Sequence, residues 1–251
     1  MAEVIAIAGK GGTGKTTLAA LLTLWLARSR ADGVLAIDAD PNSTLGDALG
    51  VADIVSVSDV IEQVAASPET VPASMGKDAY IAYRIHQNIK EAGGFDLLAM
   101  GRPEGPGCYC YANNVLRRVM GELTSDYAFS IVDNEAGLEH FSRKTTRSCQ
   151  KLFVVSDESA VGLKSARRMF ELVDALGIPA RERFLVVNRS QGNLDPDVLR
   201  EQFNVGGVFR VPQDEALSAA AREGRGVFAL PAGSGARRSV EEIGERLWPK
   251  H

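Results

Sequence analysis

The sequence predicts an α/β fold, a doubly wound and mostly parallel sheet flanked by helices, in one domain spanning residues 1–251. Three observations carry that prediction. Short, continuous apolar runs recur between helical stretches, as strands buried on both faces require. The first of these runs passes directly into Gly9-Lys10-Gly11-Gly12-Thr13-Gly14-Lys15-Thr16-Thr17 and then into a helical segment. Several later runs end in Asp or Asn, at the edge where parallel sheets hold ligands.

A chain of 251 residues can bury a substantial core. Hydrophobic residues make up 45%, charged residues 24%, and the net charge is -4, so nothing suggests a basic footprint for nucleic acid or an anionic membrane. The longest apolar helix candidate, Leu18 to Ala27, falls short of the roughly 20 residues of a membrane span. Glu3 stands where a signal peptide would be basic. The expectation is a cytoplasmic protein without nucleic-acid or membrane partners, whose three cysteines are reduced thiols, ligands or core residues rather than disulfides.

Val4-Ile5-Ala6-Ile7-Ala8 is continuous rather than alternating and reads as a buried strand. The segment after it fits G-x-x-x-x-G-K-[ST], with Gly9 and Gly14 at the spacing and Lys15 and Thr16 following. Glycines let the backbone curl until its N–H groups converge on phosphate oxygens, and the positive end of the next helix reinforces them. Gly11, Gly12, Thr13, Gly14, Lys15, Thr16 and Thr17 are therefore the expected phosphate cradle of a P-loop NTPase. Lys15 would reach the outer phosphates and the Thr16 hydroxyl would ligate Mg2+. Thr16 to about Arg28 is helical and apolar on nearly every face, which suits a helix in the middle of a wound sheet. Gly33 turns the chain into the strand Val34-Leu35-Ala36-Ile37, which ends in Asp38-Ala39-Asp40-Pro41. Carboxylates there can hold water or support Mg2+, or can cap the next helix.

Pro41 to Gly50 reads as short and helical, Val57 to Ala66 as a helix stopped by Ser67-Pro68, and Tyr80 to Glu91 as a further helix. No chemistry is assigned there, and His86 reads as a surface or packing residue. Phe95 to Met100 is the next strand. It runs into Gly101-Arg102-Pro103-Glu104-Gly105-Pro106-Gly107-Cys108-Tyr109-Cys110, a loop by its glycines and prolines. Residues i and i+2 of an extended backbone point the same way, so Cys108 and Cys110 can offer two thiolates to a soft metal; they can equally be incidental loop cysteines. The same loop from a two-fold related subunit would complete a four-sulfur site for Zn2+ or Ni2+.

Asn113 to Leu123 reads as a helix, and Ala128 to Val132 as a buried strand ending at Asp133, where an acid can hold Mg2+ directly or through water. Leu152 to Ser156 and Phe184 to Val187 are strands on either side of a helix from Ala160 to Leu176. Val208 to Pro212 is the last strand, and helices at Glu215 to Glu223 and Ser239 to Trp248 finish the domain. Asn188 closes its strand and can hydrogen-bond a purine edge. Gln191 stands where a guanine reader of the N-K-x-D type needs Asp, which favours ATP over GTP. Cys149 reads as a buried core thiol. There are no repeats and no low-complexity tract.

With Lys10 directly after Gly9, the loop resembles the deviant P-loop ATPases, GKGGxGK[ST], a class of septum-positioning and partition ATPases, the nitrogenase iron protein and metal-insertion ATPases. The resemblance implies that Lys10 reaches across a dimer interface to the partner's nucleotide and that the dimer closes on ATP. It gives Asp40 the water-activating switch I role and puts Asp38 nearer the metal's outer shell. It also reads Asp133-Asn134-Glu135-Ala136-Gly137 as switch II, and sets Asn188 and the loop from Pro212 around adenine. The catalytic set it implies is Lys10, Lys15 and Asp40. Together with Gly107-Cys108-Tyr109-Cys110 and the run Glu135-Ala136-Gly137-Leu138-Glu139-His140, the whole chain resembles the CooC-type nickel-insertion ATPases that mature carbon monoxide dehydrogenase and acetyl-CoA synthase. That implies an ATP-dependent homodimer that turns ATP into ADP, binds one Ni2+ or Zn2+ through Cys108 and Cys110 of each chain, and hands nickel to such an enzyme. Glu139 and His140 could transmit the switch or cap the next helix.

Two rival readings stand beside it. An electron carrier like the nitrogenase iron protein would want a cysteine beside switch II, and none lies between Asp133 and His140. A positioning or partition ATPase would want a basic amphipathic helix or a basic face, whereas Ser239 to Trp248 carries glutamates and reads as a packing helix.

Overall fold

β1 (Glu3–Gly9), β2 (Val34–Ala39), β3 (Lys90–Ala92), β4 (Phe95–Ala99), β5 (Phe129–Asn134), β6 (Cys149–Ser156), β7 (Ala180–Ser190) and β8 (Gly207–Pro212) join into one sheet in the order β3-β4-β2-β5-β1-β6-β7-β8. The computed structural model describes residues 2–30, 33–102, 119–135 and 148–249. Every pairing is parallel except that of β3 with β4.

Because successive side chains of a strand point to opposite faces, each continuous apolar run feeds two cores at once. Ile5 and Ile7 of β1 enter the core under α1 (Lys15–Ser29), α2 (Leu45–Leu49), α8 (Glu215–Arg222) and α9 (Gly235–Leu247). Val4, Ala6 and Ala8 enter the other. That second core lies under α3 (Val57–Ala66), α4 (Lys77–Gln87), α5 (the helical residues 119–126), α6 (Ala160–Ala175) and α7 (Pro196–Phe203). The doubly wound α/β architecture expected from the sequence is the one observed.

The apolar circumference of α1 also finds its reason. Leu18, Leu22 and Leu26 are buried toward the sheet, while Trp25 is covered by α9, where a side chain at Gly244 would overlap its ring. A helix sandwiched in this way has little polar face left.

Three elements differ from the sequence expectations. Lys90 and Glu91, expected at the end of a helix, belong to β3, because the helix stops at Gln87 and Gly93-Gly94 turn the chain back onto β4. Both glycines have positive φ, 34° and 94°, as a two-residue hairpin turn demands. The helix α7, unassigned in the sequence reading, starts where Asp195 caps the Asp197 amide and Pro196 occupies the first turn. The last helix begins at Gly235 rather than Ser239, because the Ser234 side chain caps the Arg237 amide. Of the helix expected at 113–123, residues 119–123 are helical and the rest lies outside the described residues.

Candidate active site

The expected phosphate cradle lies at the C-terminal end of β1, in the interior of the sheet. Gly9 pairs with Val155 there, and a β-carbon on Gly9 would overlap the Val155 carbonyl. Beyond it the chain turns tightly: the Thr13 amide and hydroxyl donate to the Lys10 carbonyl at 3.3 and 2.8 Å. Gly12 and Gly14 take φ of 77° and 96°, a region that costs other residues about 1–2 kcal/mol. α1 opens at Lys15 with no side-chain cap and no acid in its first turn, so its first N–H groups and its positive dipole end face the loop. Lys15 is buried and its ammonium points back toward the Lys10 carbonyl, 3.5 Å away. Thr16 and Thr17 are half-buried, and Lys10 is exposed.

Acids line the neighbouring strand ends. Asp133 lies in register with Ile7 of β1 on one side and Asp38 of β2 on the other. Its carboxylate is fully buried and neither oxygen has a hydrogen bond of ordinary geometry. Burial pushes its pKa up to about 7; the Thr16 hydroxyl and Lys15 nearby pull it down, while Asp38 and Asp40 push it further up. Asp38 is buried too and is raised to about 6, again chiefly by burial. Two backbone donors restrain that rise: Asp40 N at 3.1 Å on Oδ1 and Leu45 N at 2.8 Å on Oδ2. Asp40 is half-buried, and its Oδ1 accepts from the Asn42 amide and side chain at 2.9 and 2.8 Å.

A buried carboxylate beside an ammonium, a hydroxyl and an uncapped helix N-terminus is a donor set suited to a cation and an anion together. Mg2+ with nucleotide phosphate fits this donor set: oxygens for a hard cation, N–H groups and Lys15 for the phosphates. The sequence reading allowed that an acid here caps the next helix, as Asp38 does through Leu45 at the start of α2, but missed the bond of Asp38 to the Asp40 amide. It also missed Asn134, which is buried and whose Nδ2 donates to Ile7 O at 3.0 Å, joining β5 to β1.

On the other flank, Asn188 ends the regular part of β7, and its Nδ2 donates to the Thr13 carbonyl at 2.7 Å. Pro212 closes β8 and lies against Gly235 at the start of α9. Cys149 sits in β6 at the opposite end of the sheet from the cradle, where burial pushes its thiol up to about 12. It is a core thiol.

Cys108, Cys110, Gly137, Glu139 and His140 lie outside the described residues. β4 ends at the cradle edge of the sheet: Ala99 pairs with Asp38, the Met100 amide donates to the Asp38 carbonyl at 2.8 Å, and Gly101 abuts Ser56. Among the described residues, no group of three or more His, Cys, Asp or Glu side chains is placed to hold a metal. No helix among them is long and apolar enough to cross a membrane.

Residues 4–227 match the model of the CobQ/CobB/MinD/ParA nucleotide binding domain family. The chain belongs to that family. An uncharacterized ATP-binding protein of Methanocaldococcus jannaschii is 35% identical over 97% of this chain and 98% of its own length. The carbon monoxide dehydrogenase accessory protein CooC of Rhodospirillum rubrum is 28% identical over 90% of this chain and 89% of its own. The septum site-determining protein MinD of Pyrococcus horikoshii, solved with Mg-ADP, superposes with a TM-score of 0.73 at 20% identity, covering 99% of this chain and 97% of that one. This MinD/ParA-family member is a P-loop ATPase, and nucleotide with Mg2+ is the ligand pair its family calls for.

Proposed function

We propose that this ATPase is a dimeric metallochaperone that binds nickel, or zinc in its place, between two subunits and assists nickel insertion into an enzyme of the carbon monoxide dehydrogenase or acetyl-CoA synthase type. The observation that carries the reading is that β4 ends at Ala99 beside Asp38, on the same edge of the sheet as the P-loop, and that the sequence continues from there to Cys108-Tyr109-Cys110. The similarity to the Rhodospirillum rubrum accessory protein over nearly the full length supports it.

In this reading the amides of Gly11 to Thr17 and the Lys15 ammonium hold the phosphates, and Asn188 and Pro212 flank the base. Thr16 and Asp133 hold Mg2+, which supplies charge neutralisation on the phosphate oxygens. Asp40, whose amide bonds Asp38 and whose carboxylate accepts from Asn42, orients the attacking water. Lys10, exposed at the mouth of the cradle, stabilises charge on the partner's nucleotide as an arginine finger does elsewhere.

The positioning-ATPase alternative draws on the likeness to MinD, which at 20% identity concerns the fold. It is disfavoured by α9, whose apolar residues Ala236, Val240 and Ile243 are buried against the domain rather than presented to a membrane. The test is reconstitution: apo carbon monoxide dehydrogenase, nickel and ATP are mixed with wild-type protein, with Cys108→Ala/Cys110→Ala, or with Lys10→Ala. Wild type should accelerate activation and both variants should not, while Lys10→Ala still binds ATP. Equal activation by the double-cysteine variant contradicts the proposal.

A further inference from the structure

The end of β7 is irregular in a way that points at the P-loop. Its register with β8 slips between Asn188 and Ser190, and Arg189 takes a left-handed φ of 55°. That conformation is uncommon for a long side chain and marks a bulge, a device that re-aims the residue beside it. Here the re-aimed residue is Asn188. Its Oδ1 accepts the Arg189 amide at 2.9 Å and its Nδ2 donates to the Thr13 carbonyl at 2.7 Å, with the side chain buried. Gly14 lacks a β-carbon where the Asn188 amide sits, so loop and side chain are fitted to each other. The bulge is braced from behind, because Glu158 accepts from the Ser190 hydroxyl at 2.5 Å and from the Gln191 and Gly192 amides at 3.0 and 3.2 Å.

A primary amide has two N–H donors and two acceptor lone pairs. One donor and one acceptor of Asn188 are already spent inside the protein. From this geometry we infer that Asn188 is a positioning residue for the phosphate loop: it fixes the Thr13-Gly14 peptide before any nucleotide arrives, so that the loop's amides are held toward the phosphates. The bulge at Arg189 and the Glu158 brace are the means of aiming it. The inference deepens the nucleotide site and is independent of whether the protein carries a metal.

The discriminating probe is inorganic tripolyphosphate, which has the phosphates and no base. Binding of ATP, GTP and Mg2+-tripolyphosphate is measured by calorimetry on wild type and Asn188→Ala, and hydrogen–deuterium exchange of segment 9–17 is followed in nucleotide-free protein. If Asn188 positions the loop, all three ligands weaken by a similar factor, about tenfold for one buried hydrogen bond. The free P-loop then exchanges faster while β2 stays protected. If only ATP weakens, tripolyphosphate is unchanged and free-loop exchange is unaltered, Asn188 reads the base alone and the inference is overturned. Should alanine prevent folding, Asn188→Ser, which keeps a short donor, gives the same contrast. Failure of wild type to bind any of the three would overturn the nucleotide site itself, an outcome separable from the others.

Discussion

Asp133 and Asp38 face the same buried space from adjacent strands, and burial holds their protons up to about 7 and about 6, whereas the unfolded chain releases them at the ordinary 3.8. Between those values the folded state binds more protons than the unfolded one, so these two groups make the nucleotide-free protein less stable as pH rises from about 4 to about 7. Asp133→Asn removes the larger burden. It should raise the stability of the nucleotide-free protein at pH 7 by a few kcal/mol, an advantage that fades toward pH 4, while abolishing Mg2+-dependent hydrolysis. Chemical denaturation of both proteins at pH 4.5 and 7 checks this, and a destabilised variant at pH 7 would contradict it. At this scale the glycine-rich turn after β1 and the acids at the strand ends were legible in the sequence, because spacing and an apolar run before them are local signals. The sequence did not reveal that Asp38 accepts the Asp40 amide, or that Asn188 donates to Thr13 from 175 residues away, because those bonds exist only after folding.

The elements of the cradle differ in how much a glycine matters to each. Gly12 has open space around its missing β-carbon, Gly14 would meet the Asn188 amide, and Gly9 would meet the Val155 carbonyl. Gly12→Ala should therefore cost only the left-handed backbone penalty, about 1–2 kcal/mol, while Gly9→Ala should cost more because backbone rather than a side chain must move. Thermal melts of the two variants rank them, and equal losses would contradict the packing described. Strands were legible as continuous apolar runs, and their ends came out within a few residues. β3 was hidden because its three residues, Lys90 to Ala92, carry no strand signal and only the Gly93-Gly94 turn betrays them. α7 was hidden because it is short and its start, Asp195-Pro196, reads equally as a turn.

Across the whole molecule, the cradle lies at one end of the sheet and a structural cluster closes the other. Trp248 packs on Trp25 and Phe129 with ring centroids 6.0 and 6.2 Å away, and its Nε1 donates to Glu3 at 3.0 Å. Lys151 lies over its ring and pairs with Glu3 and Glu182 at 2.8 and 2.9 Å. Arg30 donates to the Trp248 and Pro249 carbonyls. Trp248→Ala should lower stability by about 3–5 kcal/mol and leave the affinity for ATP nearly unchanged, read from denaturant midpoints and nucleotide titration. An affinity loss that matched the stability loss would show the two ends to be coupled. The doubly wound plan was legible from the alternation of strand and helix together with the glycine-rich loop after the first strand, since helices on both faces of a parallel sheet bury its strands on both sides.

The most direct test of the central claim is anaerobic metal content against oligomeric mass, with and without a non-hydrolysable ATP analogue, for wild type and Cys108→Ala/Cys110→Ala. One nickel or zinc per dimer in wild type, lost in the variant while nucleotide binding persists, is the predicted result. No metal in either protein, with the ATPase intact, would contradict it and leave a MinD/ParA-family ATPase whose loop cysteines serve no metal.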